Sequence, residues 1–308
     1  MSNIKNAFLD IVIVNWNSGG QLEDCLASIE QFSDPRLATV TVVDNFSVDS
    51  STDCVSPSEK LRLIKSSVNL GFGKACNLGA KNTSGEYLLF LNPDAVLFPE
   101  TLTKVLNYME SSQGSEFAIC GVKLINEISQ IARSCSRFPT AKGFLAHSFG
   151  LGKLLPSTGH MMAEWDHSNT REVDHVIGAF FFVRRRVFNV LHGFDEKYFL
   201  YLEDVDFSLR ARKNGYKTIF LSEAEAFHAG GGTSRSIKAR RLFYSLRSRL
   251  TYASVHFSKA AMLLTGLATL LVEPISRSFF ALSMFSWSGL KETWVAYGML
   301  WRWVFFRR

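Results

Sequence analysis

No two cysteines in this chain of 308 residues stand as CxxC, and their number, five, is odd (Cys25, Cys54, Cys76, Cys120 and Cys135). That pattern argues against a zinc ribbon and a disulfide framework, and predicts reduced thiols in a cytosolic compartment. The full dinucleotide fingerprint GxGxxG is missing as well, so Gly71-Phe72-Gly73 is on its own only a glycine turn that opens a helix. Acids are scarce at the carboxyl end. From Arg235 to Arg308 twelve Lys or Arg stand against two acids, Glu273 and Glu292, so the net charge of +6 belongs to that part. Its basic residues alternate with apolar and aromatic runs rather than with Gly, Ser and Asn, which disfavours nucleic acid as the partner and favours lipid. Within it the apolar run from Ala260 to Val272 falls short of the ~20 residues of a transmembrane helix. Extending that run back to Tyr252 takes in His256 and Lys259. Met1 to Asn6 is polar and leads straight into a strand pattern, which predicts a chain without a secretory signal.

What is present is a series of short buried strands that end in polar residues. Phe8 to Val14 is continuous apolar apart from Asp10 and closes in Asn15-Trp16-Asn17. Val40 to Val43 ends at Asp44, and Leu61 to Ile64 gives a third strand. Asn69 to Ala80 reads as the glycine turn and its helix, able to bring backbone N–H groups to a phosphate. Tyr87 to Leu91 stops in Asn92-Pro93-Asp94, where proline cannot continue the ladder. Runs without alternation suit strands covered on both faces, and strands alternating with helices predict a Rossmann-like, mostly parallel α/β sheet. In such sheets ligands collect beyond the carboxyl ends of the strands, which is where Asp44 and Asp94 stand. On these residues alone, a turn leading to a helix at Pro99-Glu100 is the readier account of Asn92 to Asp94.

Phe117 to Lys123 is a further strand, and from Asn126 to Asp174 the pattern loosens into expected acceptor-side loops. Val173 to Val183 reads as one strand ending at Arg184-Arg185-Arg186, and Thr218 to Leu221 as the last. Between them Glu203, Asp204 and Asp206 crowd the first turn of a helix with Leu202, Val205 and Leu209 on one face, ending near Asn214-Gly215. Acids there complement the helix dipole. Three in four residues also repel one another and raise at least one pKa, which suits a general base. His228 precedes a triple glycine, an accessible setting for an imidazole that can ligate a metal or serve structure alone.

In series, Val14-Asn15-Trp16-Asn17, Val42-Val43-Asp44-Asn45 with Ser47 and Asp49, Asn69 to Gly73 with Asn77, Asn92-Pro93-Asp94, and Glu203-Asp204-Val205-Asp206 followed by His228 resemble one family. It is that of the inverting glycosyltransferases with the GT-A fold, in particular the bacterial rhamnosyltransferase-like branch, and the likeness runs from about Ile11 to Ser234. The resemblance implies that Asp44 reads a pyrimidine base, and that Asn15, Asn17, Asn69, Gly71, Phe72, Gly73 and Asn77 belong to the donor site. It implies that Asn92 and Asp94 form a DxD-type motif whose first position is an amide, with Asp94 and His228 holding Mg²⁺ or Mn²⁺. Asp204 is then the catalytic base, with Glu203 beside it orienting the acceptor or sharing the role. The implied donor is a nucleotide-diphosphate sugar, dTDP-rhamnose above other UDP- or GDP-hexoses. The implied acceptor is a polyprenyl-diphosphate-linked saccharide in cell-surface polysaccharide assembly.

Two other classes remain to be weighed. A sugar-phosphate nucleotidylyltransferase requires a Gly-rich loop with Arg or Lys after the first strand, and Asn15 to Gly20 has no basic residue. A saccharide-binding scaffold has no need of Asp94, Glu203, Asp204 and His228 together. Two parts are expected, a catalytic domain over residues 1–234 and a basic, aromatic-rich helical region over 235–308. Amphipathic helices in the latter, rich in Trp and Arg, predict peripheral attachment in the plane of the cytoplasmic face of a bacterial inner membrane. A homo-oligomer interface is the alternative use of that apolar surface.

Overall fold

The computed structural model describes residues 8–151, 162, 164–230 and 237–306. The first apolar run is β1 (Leu9–Asn15), buried along its whole length, followed by α1 (Gln21–Gln31), β2 (Leu37–Asp44) and the short β3 (Leu61–Lys65). The glycine turn opens α2 (Phe72–Ala80), and β4 (Tyr87–Leu91) is again wholly buried. β1 runs parallel to β2 and to β4, and β2 to β3. Alternate residues of β1 feed two cores: Leu9, Ile11 and Ile13 pack with Leu22 and Ile29 of α1, while Val12 and Val14 pack with Ala75 and Cys76 of α2. That two-sided burial is why the strands read as unbroken apolar runs.

Beyond β4 the chain departs from the simple alternation in three places. First, the Asn92 turn does not lead straight to a helix. A three-residue strand, β5 (Ala95–Leu97), intervenes before α3 (Thr101–Glu110). Second, after β6 (Phe117–Ile125), β7 (Cys135–Ser136) and α4 (Ala141–Ser148), the run from Val173 to Val183 is not one strand. It breaks into β8 (Arg171–Val173), β9 (His175–Val176) and β10 (Phe180–Arg184). The break has a hydrogen-bonding cause: the Ile177 N–H goes to Ser134 O (2.9 Å) and the Gly178 N–H to Asp204 Oδ2 (2.8 Å), so no single ladder continues through them. β9 pairs with β7 in a separate two-stranded sheet, and β10 lies antiparallel between β4 and β6. Third, past α5 (Arg185–Val190) and α6 (Glu203–Lys213), the last strand β11 runs well beyond Leu221, over Lys217–His228. Its register shifts between Leu221 and Glu225, after which it pairs with β5, His228 opposite Ala95. His228 is therefore an ordered strand end.

Among the described residues the main sheet thus has nine strands, in the order β3-β2-β1-β4-β10-β6-β11-β5 with β8 also on β11, and is mixed in direction. The boundary expected at residues 234 and 235 lies outside the described residues. α7 (Lys238–His256) packs directly on the sheet-bearing part: Tyr244 stacks on Phe199 at 4.7 Å, and Ser248 Oγ donates to Leu200 O (2.7 Å). α8 (Lys259–Leu267) continues through a π-helical turn, Ala268–Val272, into α9 (Glu273–Ser283), and α10 (Trp287–Phe305) returns against α7 through Leu246, Tyr297 and Leu300. The apolar helix is longer than Ala260 to Val272. Lys259–Ser283, 25 residues, is long and apolar enough to cross a membrane by length and composition. Glu273 within it is buried against Arg249 of α7 and Arg277.

Candidate active site

The carboxyl ends of β1, β2 and β4 lie side by side, Asn15 in register with Asp44 and Ile13 with Leu91. Asn15 is completely buried, and its Nδ2 donates to Ser47 Oγ (3.1 Å) and Ser51 Oγ (2.9 Å) while standing 3.4 Å from Asp44 Oδ1. It ties the β2 loop to β1 and holds Asp44 from below. Asn17, left-handed at φ 50°, accepts from the Val48 N–H (2.7 Å), a second tie to the same loop. Asn45, whose side chain was given no role from sequence, joins this loop to the glycine turn. Its Oδ1 accepts from the Leu70 N–H (2.7 Å) and its Nδ2 donates to Asn69 Oδ1 (3.2 Å) and Gly71 O (3.3 Å).

Gly71 has φ +82°, and a Cβ there would lie 2.2 Å from Phe199 O, so only glycine allows the turn to meet the loop ahead of α6. The Phe72 N–H closes that contact on Phe199 O (2.8 Å). Asn77 commits both ends of its amide to one loop, accepting from the Phe194 N–H (2.9 Å) and donating to Phe194 O (2.9 Å). The structure therefore brings Asp44, Asn69 and Gly71 together, and uses the side chains of Asn15, Asn17 and Asn77 to hold the loops around them.

A second group forms where β4 and β11 end. His228 Nε2 lies 3.3 Å from Asp94 Oδ1 and 3.3 Å from Asn92 Nδ2, and both the Asp94 and His228 side chains are nearly buried. The Ala229 N–H donates to Asp94 O (3.2 Å), fixing the two chain segments together. Among the described residues no three His, Cys, Asp or Glu side chains converge on one point. Two oxygen or nitrogen donors with a neighbouring amide suit a hard divalent cation that draws its other ligands from substrate phosphates and water.

The third group is the start of α6. Tyr201 (φ 70°) and Leu202 (φ 65°) are consecutive left-handed residues, a strained entry that sets where the acids point. Asp206 is fully buried and belongs to the frame, paired with Arg210 Nε (2.7 Å) and with His256 Nε2 of α7 (2.7 Å). Glu203 is buried, and burial together with the charge of Asp204 pushes its carboxyl well above the usual range. Asp204 behaves oppositely. Burial works against its charge, but the His175 imidazole, with the N–H groups of Gly178 and Val205, outweighs it and keeps the carboxyl below its ordinary value. The two neighbours are therefore pushed in opposite directions, Glu203 up and Asp204 down. A Cβ on Gly178 would sit 3.3 Å from Asp204 Oδ2 and 3.5 Å from Phe72 Cε1, so the base candidate and the glycine turn share one wall. Ala179 O accepts from the Asn92 N–H (3.0 Å), so a single residue step links the peptide that binds Asp204 to the one that begins Asn92-Pro93-Asp94.

The α6 carboxyls and the Asp94–His228 pair are thus joined through Gly178, Ala179 and Asn92 at the strand ends. The model of one family, Glycosyl transferase family 2, matches residues 10–191, which is more than half of the chain. The chain belongs to that family. This glycosyltransferase is 28% identical over 236 residues to the N-acetylglucosaminyl-diphospho-decaprenol L-rhamnosyltransferase of Mycobacterium tuberculosis, covering 71% of this chain and 75% of that one. It is 29% identical over 191 residues to rhamnosyltransferase WbbL of Escherichia coli, covering 59% and 69%. Among solved structures it is similar to a mannosyltransferase of Pyrobaculum calidifontis in complex with GDP-Man and Mn²⁺, with a TM-score of 0.57 over 98% of this chain and 88% of that one at 15% identity. The glycosyltransferase thus has an α/β fold of the GT-A kind, with carboxyl-terminal helices. Sequence reasoning missed His175 and Ser136; a histidine inside a largely apolar run was the available signal for the first.

Proposed function

We propose that this glycosyltransferase moves L-rhamnose from dTDP-L-rhamnose to a polyprenyl-diphosphate-linked saccharide, with inversion, at the cytoplasmic face of a bacterial inner membrane. The rhamnosyl transfer printed in the names of the two bacterial relatives supports the donor, and the decaprenol-linked substrate in the first name supports the acceptor. The observation that carries the chemistry is the setting of the two carboxyls at the start of α6: Asp204 lies among the Gly178 and Val205 N–H groups and the His175 imidazole, while Glu203 is buried beside it.

In this reading Asp44 reads the pyrimidine base, and the turn from Asn69 to Gly73 lines the nucleotide pocket against the Phe199 backbone. Asp94 and His228 hold a divalent cation, Mg²⁺ or Mn²⁺, which when bound neutralises the charge of the leaving diphosphate. Asn92 hydrogen-bonds the sugar or a water. Asp204 takes the proton of the acceptor hydroxyl as its oxygen attacks the anomeric carbon from the face opposite the nucleotide. The bond from that carbon to the diphosphate oxygen breaks, its electron pair leaves with the diphosphate, and Glu203, uncharged, orients the acceptor. Support for membrane attachment comes from the basic helices and from an exposed apolar face that includes Phe279, Phe285 and Trp287.

Calorimetric titration with dTDP-, UDP- and GDP-sugars, with Mg²⁺ or Mn²⁺ and again with EDTA, tests the reading. Metal-dependent binding that favours dTDP-rhamnose is expected, and preference for a UDP- or GDP-sugar discards the rhamnosyl assignment. Asp94→Ala is expected to weaken that binding by more than the roughly tenfold that loss of an outer-shell partner costs.

A further inference from the structure

Behind Asp204 stands a polar chain that no step above uses. His175, on β9, is 2% exposed, and its Nε2 lies 3.2 Å from Asp204 Oδ2. Its Nδ1 lies 2.9 Å from Ser136 Oγ, on the partner strand β7, where Ser136 and His175 are directly opposite in register. The two-stranded sheet therefore has a use: it carries an imidazole between a hydroxyl and a carboxylate in a setting closed to water. Serine can give its proton to Nδ1, which leaves the proton on Nε2, facing Asp204.

The carboxylate itself is unevenly occupied. Oδ2 accepts from the Gly178 N–H (2.8 Å) and has His175 Nε2 3.2 Å away, outside hydrogen-bonding geometry, while among the described residues Oδ1 accepts from the Val205 N–H (2.8 Å). With two lone pairs per oxygen, Oδ1 keeps one open and has no second group against it. We infer that His175, held by Ser136, is the positioning residue for Asp204: it stands against Oδ2 and leaves Oδ1 to the acceptor hydroxyl. This rests on the reading of Asp204 as base. The other titratable groups around the pair are accounted for. Glu203 is the neighbour whose carboxyl burial pushes up, Asp206 is paired with Arg210 and His256, Asp174 stands 3.6 Å from Arg212, and Cys76 of α2 is a buried thiol whose pKa burial raises.

The test reads Asp204 directly, without need of the true substrates. The full-length protein is labelled with ¹³C at the aspartate carboxyl carbon, the Asp204 resonance is identified by its loss in Asp204→Asn, and it is titrated in wild type, His175→Phe, His175→Gln and Ser136→Ala. Phe keeps a ring without a donor; Gln restores an N–H at similar reach without a titrating group. The expected result is a midpoint raised by about one pH unit or more in His175→Phe, a smaller rise in Ser136→Ala, and return toward wild type in His175→Gln. An unmoved Asp204 midpoint in His175→Phe overturns the inference, and so does its failure in Ser136→Ala should the Phe variant not fold. Turnover with dTDP-L-rhamnose and polyprenyl-diphosphate-linked N-acetylglucosamine separates the two layers. The acid limb of kcat is expected to follow the NMR midpoint while the donor KM stays constant. A midpoint that moves while the limb does not overturns Asp204 as the base, and with it the catalytic role of His175.

Discussion

Glu203 and Asp204 are adjacent in sequence and opposite in state. The helix turn that begins α6 sends Glu203 into the packed space beside Gly73, where a carboxylate has no hydrogen-bond partner for Oε2, and sends Asp204 to Gly178 and His175. Burial raises the first carboxyl, and the polar groups around the second lower it. Kinetics separate their roles. Asp204→Asn is expected to lower kcat by roughly 10² to 10⁴ with donor affinity unchanged, the range that general-base catalysis supplies. Glu203→Gln, which copies the neutral form already present, is expected to cost far less. Equal losses in the two variants would show that the charge is not confined to Asp204.

At the scale of elements, loops are held to strands by paired side chains rather than by further ladder. Asp34, between α1 and β2, is bound by Arg36 Nε (2.8 Å) and Thr103 Oγ1 (2.7 Å), and Arg36 reaches Glu110 (3.1 Å), so the strand start is fastened to both ends of α3. The Arg36 guanidinium holds the Asp34 carboxyl well below its ordinary range. A carboxyl with a depressed folded pKa stabilises the fold above the unfolded value, about 3.9 for aspartate, and ceases to do so as pH falls through the folded one. Asp34→Asn is therefore expected to lower stability by about 2 kcal/mol at pH 7, the size of a hydrogen bond to a charged group. Urea denaturation is expected to show that difference shrinking as pH falls below about 4. A constant difference would locate the effect in packing instead.

For the whole molecule, the helices after residue 237 and the catalytic sheet form one body at α6. Val205 and Tyr252 share a core with Tyr198 and Phe144, and His256 closes on Asp206, the next acid after Asp204. The opposite side of these helices is exposed and apolar, Leu263, Leu271, Ile275, Phe279, Phe285 and Trp287 among it. One face of α9 is committed to protein through Glu273, Arg249 and Arg277, which favours lying on a bilayer over crossing it. Flotation with vesicles containing an anionic phospholipid is expected to recover the protein, and alkaline carbonate to release it. Phe279→Ser with Phe285→Ser is expected to abolish flotation. Retention after carbonate would indicate a spanning helix.

Much of this was legible in the chain alone, because buried parallel strands write themselves as unbroken apolar runs and end at polar residues. β1, β2, β4, the glycine turn and the acids of α6 stand where their patterns predict. What escaped were features that depend on partners remote in sequence. The run from Val173 to Val183 looks like one strand, yet Ser134 and Asp204 take its central N–H groups and break it into three. β11 passes Leu221 because β5, more than a hundred residues earlier, offers His228 a ladder. The residue types at the site were determined by the sequence; which carboxyl is charged, and what holds it so, was decided by tertiary structure, since a pKa follows from burial and neighbours that only folding supplies.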